Sequence, residues 1–292
     1  MEEKDLQKLI STIVEEAVKA KADAPKADAP ISGSTSVENG CIPDIRAIDF
    51  TKINATPNPA ASEEFMKLKG NSPMRLGVWR SGPRPRTESQ LRFMADHAAS
   101  LDAVLTDVHD DVLQRNNLFS IQSICKDKDE FLTRPDLGME FSDETLAEIK
   151  SKCVMNPDVQ IIFADGLSST SVEANIDNLL PAMMKSLEKT GLKIGTPFFL
   201  KYGRVRSMDT LAQALGAKVT AICIGERPGL VTAESLSCYM CYDAHPGVPE
   251  ANRTVVSNIY GGGTNPAEAG AYIAELLARM VKEKASGIDF KI

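Results

Sequence analysis

The 292-residue sequence holds only three histidines, His97, His109 and His245, and no G-x-S-x-G or H-E-x-x-H frame surrounds any of them. The familiar settings of an activated serine or a zinc-dependent hydrolase are therefore missing. Lys and Arg form no long block and the net charge is -7, which excludes the electrostatic footprint of a nucleic-acid binder and favours small or neutral partners. No stretch approaches the roughly 18–20 uncharged apolar residues of a membrane span. The first ten residues, MEEKDLQKLI, lack the basic start and unbroken apolar core of a signal peptide. The expected location is the cytoplasm, without a membrane partner. The six cysteines, Cys41, Cys125, Cys153, Cys223, Cys238 and Cys241, are scattered, which points to reduced thiols instead of a disulfide frame. Cys238 and Cys241 form a C-Y-M-C pair, but no second Cys or His pair stands at a spacing that closes a tetrahedral metal site. Small core residues are the plain reading.

What is present suits an ordinary core: hydrophobic residues make up 43% of a chain long enough for one large domain or two modest ones. By composition the chain has three parts. Residues 1–20 carry Leu6, Ile10, Ile13, Val14, Ala17 and Val18 at helical spacing among charges, an amphipathic helix. Residues 21–40 begin with the tandem KADAPKADAP, which buries no apolar area and reads as a linker. Residues 41–292 are globular in composition. A tethered apolar helix either folds back onto the body or docks in another protein's groove.

Within the globular part, MRLGVW (74–79), VQIIFADGL (159–167), TPFFLKYG (196–203), KVTAICIG (218–225) and RTVVSNIYG (253–261) read as short buried strands. Helical patterns separate them. One starts at Thr87 and places Leu91, Met94, Ala95, Ala98, Leu101, Leu105 and Val108 on one face. Another starts at Ser142, with Asp143 and Glu144 facing the positive end of the helix dipole. A third follows ADGL, with Pro181 expected to kink it and Gly191 to close it. Alternating strands and helices imply an α/β, Rossmann-like fold with a largely parallel sheet flanked by helices. Ligands on such sheets bind at the carboxyl ends of the strands.

That rule singles out three strand exits. KVTAICIG discharges into Glu226-Arg227-Pro228-Gly229, which puts a charged pair at the crevice. ADGLSSTS follows at 164–171. IYGGGTNP at 259–266 has Gly261, Gly262 and Gly263 ahead of an Asn265 cap, Pro266 and Glu268. A glycine loop before a helix can hold a phosphate, although neither standard nucleotide motif is matched, and a plain tight turn fits equally well. Asp107-Val108-His109-Asp110-Asp111-Val112 begins like the D-x-H-x-x-G signature of cobalt-ligating histidines. Val112 occupies the glycine position and the pattern continues a helix, so no metal ligand is expected there. Without a convincing acid, base or nucleophile, the chain reads as a subunit that completes another's site.

Taken in order, GVWRSGPRPRTESQLRFMADHAASLDAV, FLTRPDLG, QIIFADGLSSTSVEAN, FFLKYGRV, IGERPGLVTAESLSCY and SNIYGGGTNPAEA resemble the small-subunit family of ethanolamine ammonia-lyase, from about Met74 onward. The resemblance implies an adenosylcobalamin-dependent lyase converting ethanolamine to acetaldehyde and ammonia by radical rearrangement. In that family the large subunit is a TIM barrel holding the substrate, where a 5′-deoxyadenosyl radical acts after the cobalt–carbon bond breaks. The small subunit covers the cofactor at the interface and supplies no catalytic or metal-ligating residue. The family's cobalamin contacts fall on Val205, Glu226 and Val255. The corrin's amide N–H groups suit a carboxylate acceptor, and Arg227 is free to donate to an amide oxygen or to brace Glu226.

The resemblance also implies a bacterial microcompartment, with residues 1–18 as the segment that docks on shell or cargo proteins. Two other functions remain open at this level. One is a free-standing nucleotide- or sugar-phosphate-binding α/β protein using the glycine loop, and the other is a shell-associated adaptor with no cofactor contact.

Overall fold

The computed structural model describes residues 45–72 and 74–291. The expected helix of residues 1–20 and linker of residues 21–40 lie outside the described residues. The described chain divides into two compact units, residues 103–228 with 233–291, and residues 45–102 with 229–232.

The smaller unit contains α1 (Ser62–Lys69), the two-residue antiparallel strands β1 (Arg80–Ser81) and β2 (Arg84–Pro85), and most of α2 (Thr87–Leu105). The expected strand over residues 74–79 does not form. Gly77 and Trp79 take φ of 66° and 49°, which breaks an extended run, and the buried ammonium of Lys69 claims the carbonyls of Leu76 at 2.6 Å and Ile53 at 2.5 Å. Buried Asp96 on α2 gathers Arg92 at 2.8 Å and, by a short contact, Arg75.

Helix α2 also stops earlier than its periodicity suggests. Thr106 meets the Ser169 hydroxyl at 2.9 Å, and the Asp107 carboxylate pairs with Lys201 at 2.7 Å, so side-chain partners draw residues 106–109 out of the helix. Val108 is buried separately in the core, while Leu91, Met94, Leu101 and Leu105 of the expected apolar face are exposed. The apolar periodicity was real, but no described residue covers that face.

The larger unit runs through α3 (Asp110–Arg115), β3 (Ser120–Gln122), α4 (Lys128–Thr133), α5 (Asp143–Lys152), β4 (Val159–Ala164), α6 (Ser169–Glu188), β5 (Phe198–Lys201), α7 (Ser207–Leu215), β6 (Val219–Gly225), β7 (Leu236–Tyr242), β8 (Thr254–Ile259) and α8 (Pro266–Glu283). The sheet order is β3-β5-β4-β6-β7-β8. The first four strands are parallel, and β7 and β8 add as antiparallel neighbours. This is the α/β sheet expected, with β3 and β7 as strands the sequence reading did not separate out.

Both faces of the central strands are covered, which is why β4 and β6 are buried at every position and are apolar apart from Gln160 and Thr220. On one face α6 and α8 pack over Ile161, Phe163, Cys223, Cys238 and Met240. On the other, α5 and α7 pack over Ile162, Ala164, Ile222 and Ile224. Truncating a fully buried residue such as Ile162 to Ala costs about 2–5 kcal/mol. Ser142 caps α5 through the Thr145 N–H at 3.2 Å, as expected, and α6 runs unbroken through Pro181.

The connections after β4 and β5 leave in opposite directions. Helix α6 crosses one face to reach β5, and α7 crosses the other face to reach β6, on the far side of β4. The chain order therefore reverses at β4, and a crevice opens outside the carboxyl ends of β5, β4 and β6.

Candidate functional site

That crevice is a cavity of about 230 Å³ lined by Gly166 and Leu167 after β4, by Gly203, Arg204 and Val205 after β5, and by Ile224 to Arg227 at the end of β6, with Ser237 and Tyr239 from β7. Two glycines allow the strand ends to close on each other. Gly166 has φ of 53°, and a Cβ there would stand 2.5 Å from the Gly225 carbonyl; a Cβ on Gly225 would meet the Ser168 and Asp165 carbonyls at 2.3 and 2.4 Å.

Glu226 is the one carboxylate in the lining. Its Oε2 accepts the Ser235 hydroxyl at 2.7 Å, and its Oε1 accepts the Ser237 hydroxyl in a short contact and the Asn258 N–H at 3.3 Å. Asn258 has φ of 62°, a left-handed conformation that asparagine tolerates and that turns its N–H toward the carboxylate. Burial pushes the Glu226 pKa up, but the hydroxyls of Ser237 and Ser235 and the Asn258 amide outweigh it and hold the carboxyl below its ordinary value. Three of roughly four acceptor positions are used, which leaves Oε2 able to take one donor from outside. Arg227 does not brace Glu226, because the hydroxyls do.

Of the three positions singled out beforehand, Val205 and Glu226 line the same crevice. Val255 lies outside that lining. It is 41% exposed on β8, directly opposite Tyr239, so its side chain continues the apolar wall on the same sheet face. Arg204, Ser235, Ser237 and Tyr239 were missed. Arg204 stands inside the quoted FFLKYGRV, and the serines alternate along SLSCY, a period-two signal for one sheet face.

The other candidates separate from this site. In the glycine loop the Gly263 N–H donates to the Tyr260 carbonyl at 3.1 Å and the Thr264 N–H to the Asn258 carbonyl at 2.9 Å, while Gly262 and Gly263 lie against the Tyr260 ring. The amides of Gly263 and Thr264 are thus spent inside a turn ahead of α8, whose Asn265 cap accepts from the Ala267 N–H at 2.9 Å. Cys238 and Cys241, three apart on β7, point to opposite faces, Cys238 beside Cys223 and Cys241 into the other core, so they cannot share a metal. Among the described residues no cluster of His, Cys, Asp and Glu has the makings of a metal site.

Contrary to expectation, His109 does not continue the helix of Thr87: it is extended and precedes α3, where its Nδ1 lies 2.6 Å from Glu173. The Glu173 hydrogen bond and charge raise its pKa. A second cavity of about 390 Å³ beside it is lined by Asp107, Asp165 and Lys201; Asp107 pairs with Lys201 at 2.7 Å, and Asp165 with Lys128 at 3.5 Å. Asp165 is buried just past β4, its pKa raised by burial against Lys128 and backbone N–H groups, and it accepts the Gly203 N–H at 3.2 Å, which ties the ends of β4 and β5 together. No helix among the described residues is long and apolar enough to cross a membrane.

The arrangement offers one ordered carboxylate oxygen that can accept a further N–H or O–H donor. The sequence model for the ethanolamine ammonia-lyase light chain (EutC) matches residues 62–291. The chain is 48% identical to the ethanolamine ammonia-lyase small subunit of Clostridium tetani, with 99% of each chain covered. It is 47% identical to that of Fusobacterium nucleatum subsp. nucleatum, again with 99% of each covered. With that of Listeria innocua it shares 46% identity over 100% of both chains.

Proposed function

Because the chain belongs to the ethanolamine ammonia-lyase small-subunit family, we propose that it completes an adenosylcobalamin site at the interface with the large subunit and contributes no catalytic group of its own. The observation that carries this reading is the Glu226 carboxylate, pre-ordered by three internal donors at the switch point of the sheet with acceptor capacity left over. A corrin is fringed by neutral amides, and a fixed carboxylate accepts their N–H groups more strongly than a neutral oxygen would. The residues fit that group in a second way. The Nε of Arg204 is buried without an acceptor, an orphan that an outside oxygen can satisfy.

A corrin is much larger than 230 Å³, so this chain furnishes one wall and the large subunit the rest. Val205, Tyr239 and Val255 form the apolar part of the wall and exclude water along it. Ser235, Ser237 and Asn258 keep Glu226 ionised and oriented. When bound, adenosylcobalamin supplies the radical chemistry that turns ethanolamine into acetaldehyde and ammonia in the large subunit. Residues 1–18, on this reading, direct the assembled enzyme to a microcompartment.

The alternative of a free-standing phosphate binder built on the glycine loop is weakened by the loop's internal hydrogen bonds. Mixing the purified chain with a large subunit decides the matter. Cobalamin binding and cobalamin-dependent ammonia release are expected only from the mixture, and a large subunit that does both equally well alone overturns the proposal.

A further inference from the structure

The same crevice carries two guanidinium groups, and neither is neutralised. Arg227 is exposed at the end of β6 and has no hydrogen-bond or ion-pair partner among the described residues. Arg204 is held from behind. Its guanidinium stacks 4.0 Å from the Phe131 ring centroid, its Nη2 donates to the Phe131 carbonyl in a short contact, and its Cγ packs on Gly138. Its buried Nε finds no acceptor, and no carboxylate lies within ion-pair distance.

The crevice lining offers these cations nothing. Its single carboxylate, Glu226, is taken up by Ser235, Ser237 and Asn258. Burial lowers the pKa of Arg204; Cys125 and the carboxylate of Asp165, which is beyond ion-pair distance, offset part of this, and the like charge of Arg227 adds to the lowering. A half-buried cation without a carboxylate in direct contact is costly, and a chain whose net charge is -7 has carboxylates in plenty that do not touch it. The planar fork of a guanidinium matches a tetrahedral oxyanion, and stacking on Phe131 fixes its plane.

We propose that Arg204 and Arg227 jointly bind a phosphodiester while Glu226 accepts amide N–H groups of the same molecule. The inference rests on the cobalamin reading above and deepens it, since adenosylcobalamin joins amide side chains to a phosphodiester in its nucleotide arm. It divides the work of the crevice by charge: Glu226 reads the corrin fringe and the arginine pair reads the anion.

The test compares two ligands that differ in the anion alone, adenosylcobinamide and adenosylcobinamide methyl phosphate, titrated spectroscopically into the reconstituted complex of this chain with a large subunit. The wild-type complex is expected to prefer the methyl phosphate form by about tenfold or more, the scale of a charge-assisted hydrogen bond. Arg227→Ala, at an exposed position, should cut that preference while leaving adenosylcobinamide affinity within about twofold. Arg227→Lys should retain part of it, because a point charge replaces the fork. Arg204→Lys probes the buried partner in the same way.

Equal affinity of the wild type for both ligands, or an undiminished preference in Arg227→Ala, overturns the inference while leaving the cobalamin reading intact. Failure of the wild-type complex to bind any corrinoid overturns both. If inorganic phosphate binds the full chain through Arg204 and Arg227 yet never competes with the methyl phosphate form, the pair serves free phosphate and the assignment to the cofactor arm is wrong.

Discussion

Ser235, immediately before β7, donates its hydroxyl to the carboxylate of Glu226, immediately after β6, across 2.7 Å. The candidate carboxylate is thus held by the residue that leads into the next strand. Ser237 and Asn258 complete the hold.

Removing this carboxylate should act on cofactor affinity. Glu226→Ala is expected to raise the Kd for adenosylcobalamin by about 10- to 150-fold, corresponding to roughly 1.5–3 kcal/mol, with turnover at saturating cofactor little changed. Glu226→Gln keeps an acceptor oxygen and should lose less. Because the carboxyl titrates below its ordinary 4.5, its contribution is fully present above that value and fades only as pH falls through the lowered one. Titration of the reconstituted complex checks both, and an affinity within twofold of wild type in Glu226→Ala refutes the assignment.

The buried pair of Arg253 and Asp209 makes a structural forecast. Nη2 of Arg253 reaches both carboxylate oxygens at 2.7 and 2.9 Å and so joins the start of β8, two residues from Val255, to α7. Arg253→Ala strands a buried carboxylate and should cost about 3–5 kcal/mol. Arg253→Met combined with Asp209→Leu removes both charges and should recover most of that. Urea midpoints measure the difference; a single variant as stable as wild type would show that the pair does not tie the elements.

None of the histidines is placed in the crevice, so His97→Ala, His109→Ala and His245→Ala should each leave kcat within about tenfold, short of the ~10²–10⁴ lost with a general acid or base. His109→Ala should still show a small pH-dependent loss of stability. The histidine's raised pKa makes its pair with Glu173 fully stabilising below 6.5, and that contribution disappears as pH rises through the raised value. A larger fall in kcat in a folded, assembled variant would make this chain catalytic.

Deleting residues 1–30 is expected to leave activity in vitro unchanged and to reduce recovery of the enzyme with microcompartment shells. Unchanged co-purification, in an enzyme whose large subunit carries no such segment, would remove the docking role.

The amino-acid sequence by itself determined the α/β class, because β4 and β6 are buried on both faces and are therefore apolar apart from Gln160 and Thr220. It also marked Glu226, since a charge directly after such a run has left the core. It did not determine where α2 ends, because hydrophobic periodicity continues through Val108 while the ion pair of Asp107 with Lys201 comes from a residue 94 positions away. Nor did it reveal that MRLGVW is irregular, which depends on Lys69 reaching its backbone. Only the tertiary structure gathered Arg204, Arg227 and Glu226 in one crevice, because the reversal of strand order at β4 brings together loops that are far apart in the chain.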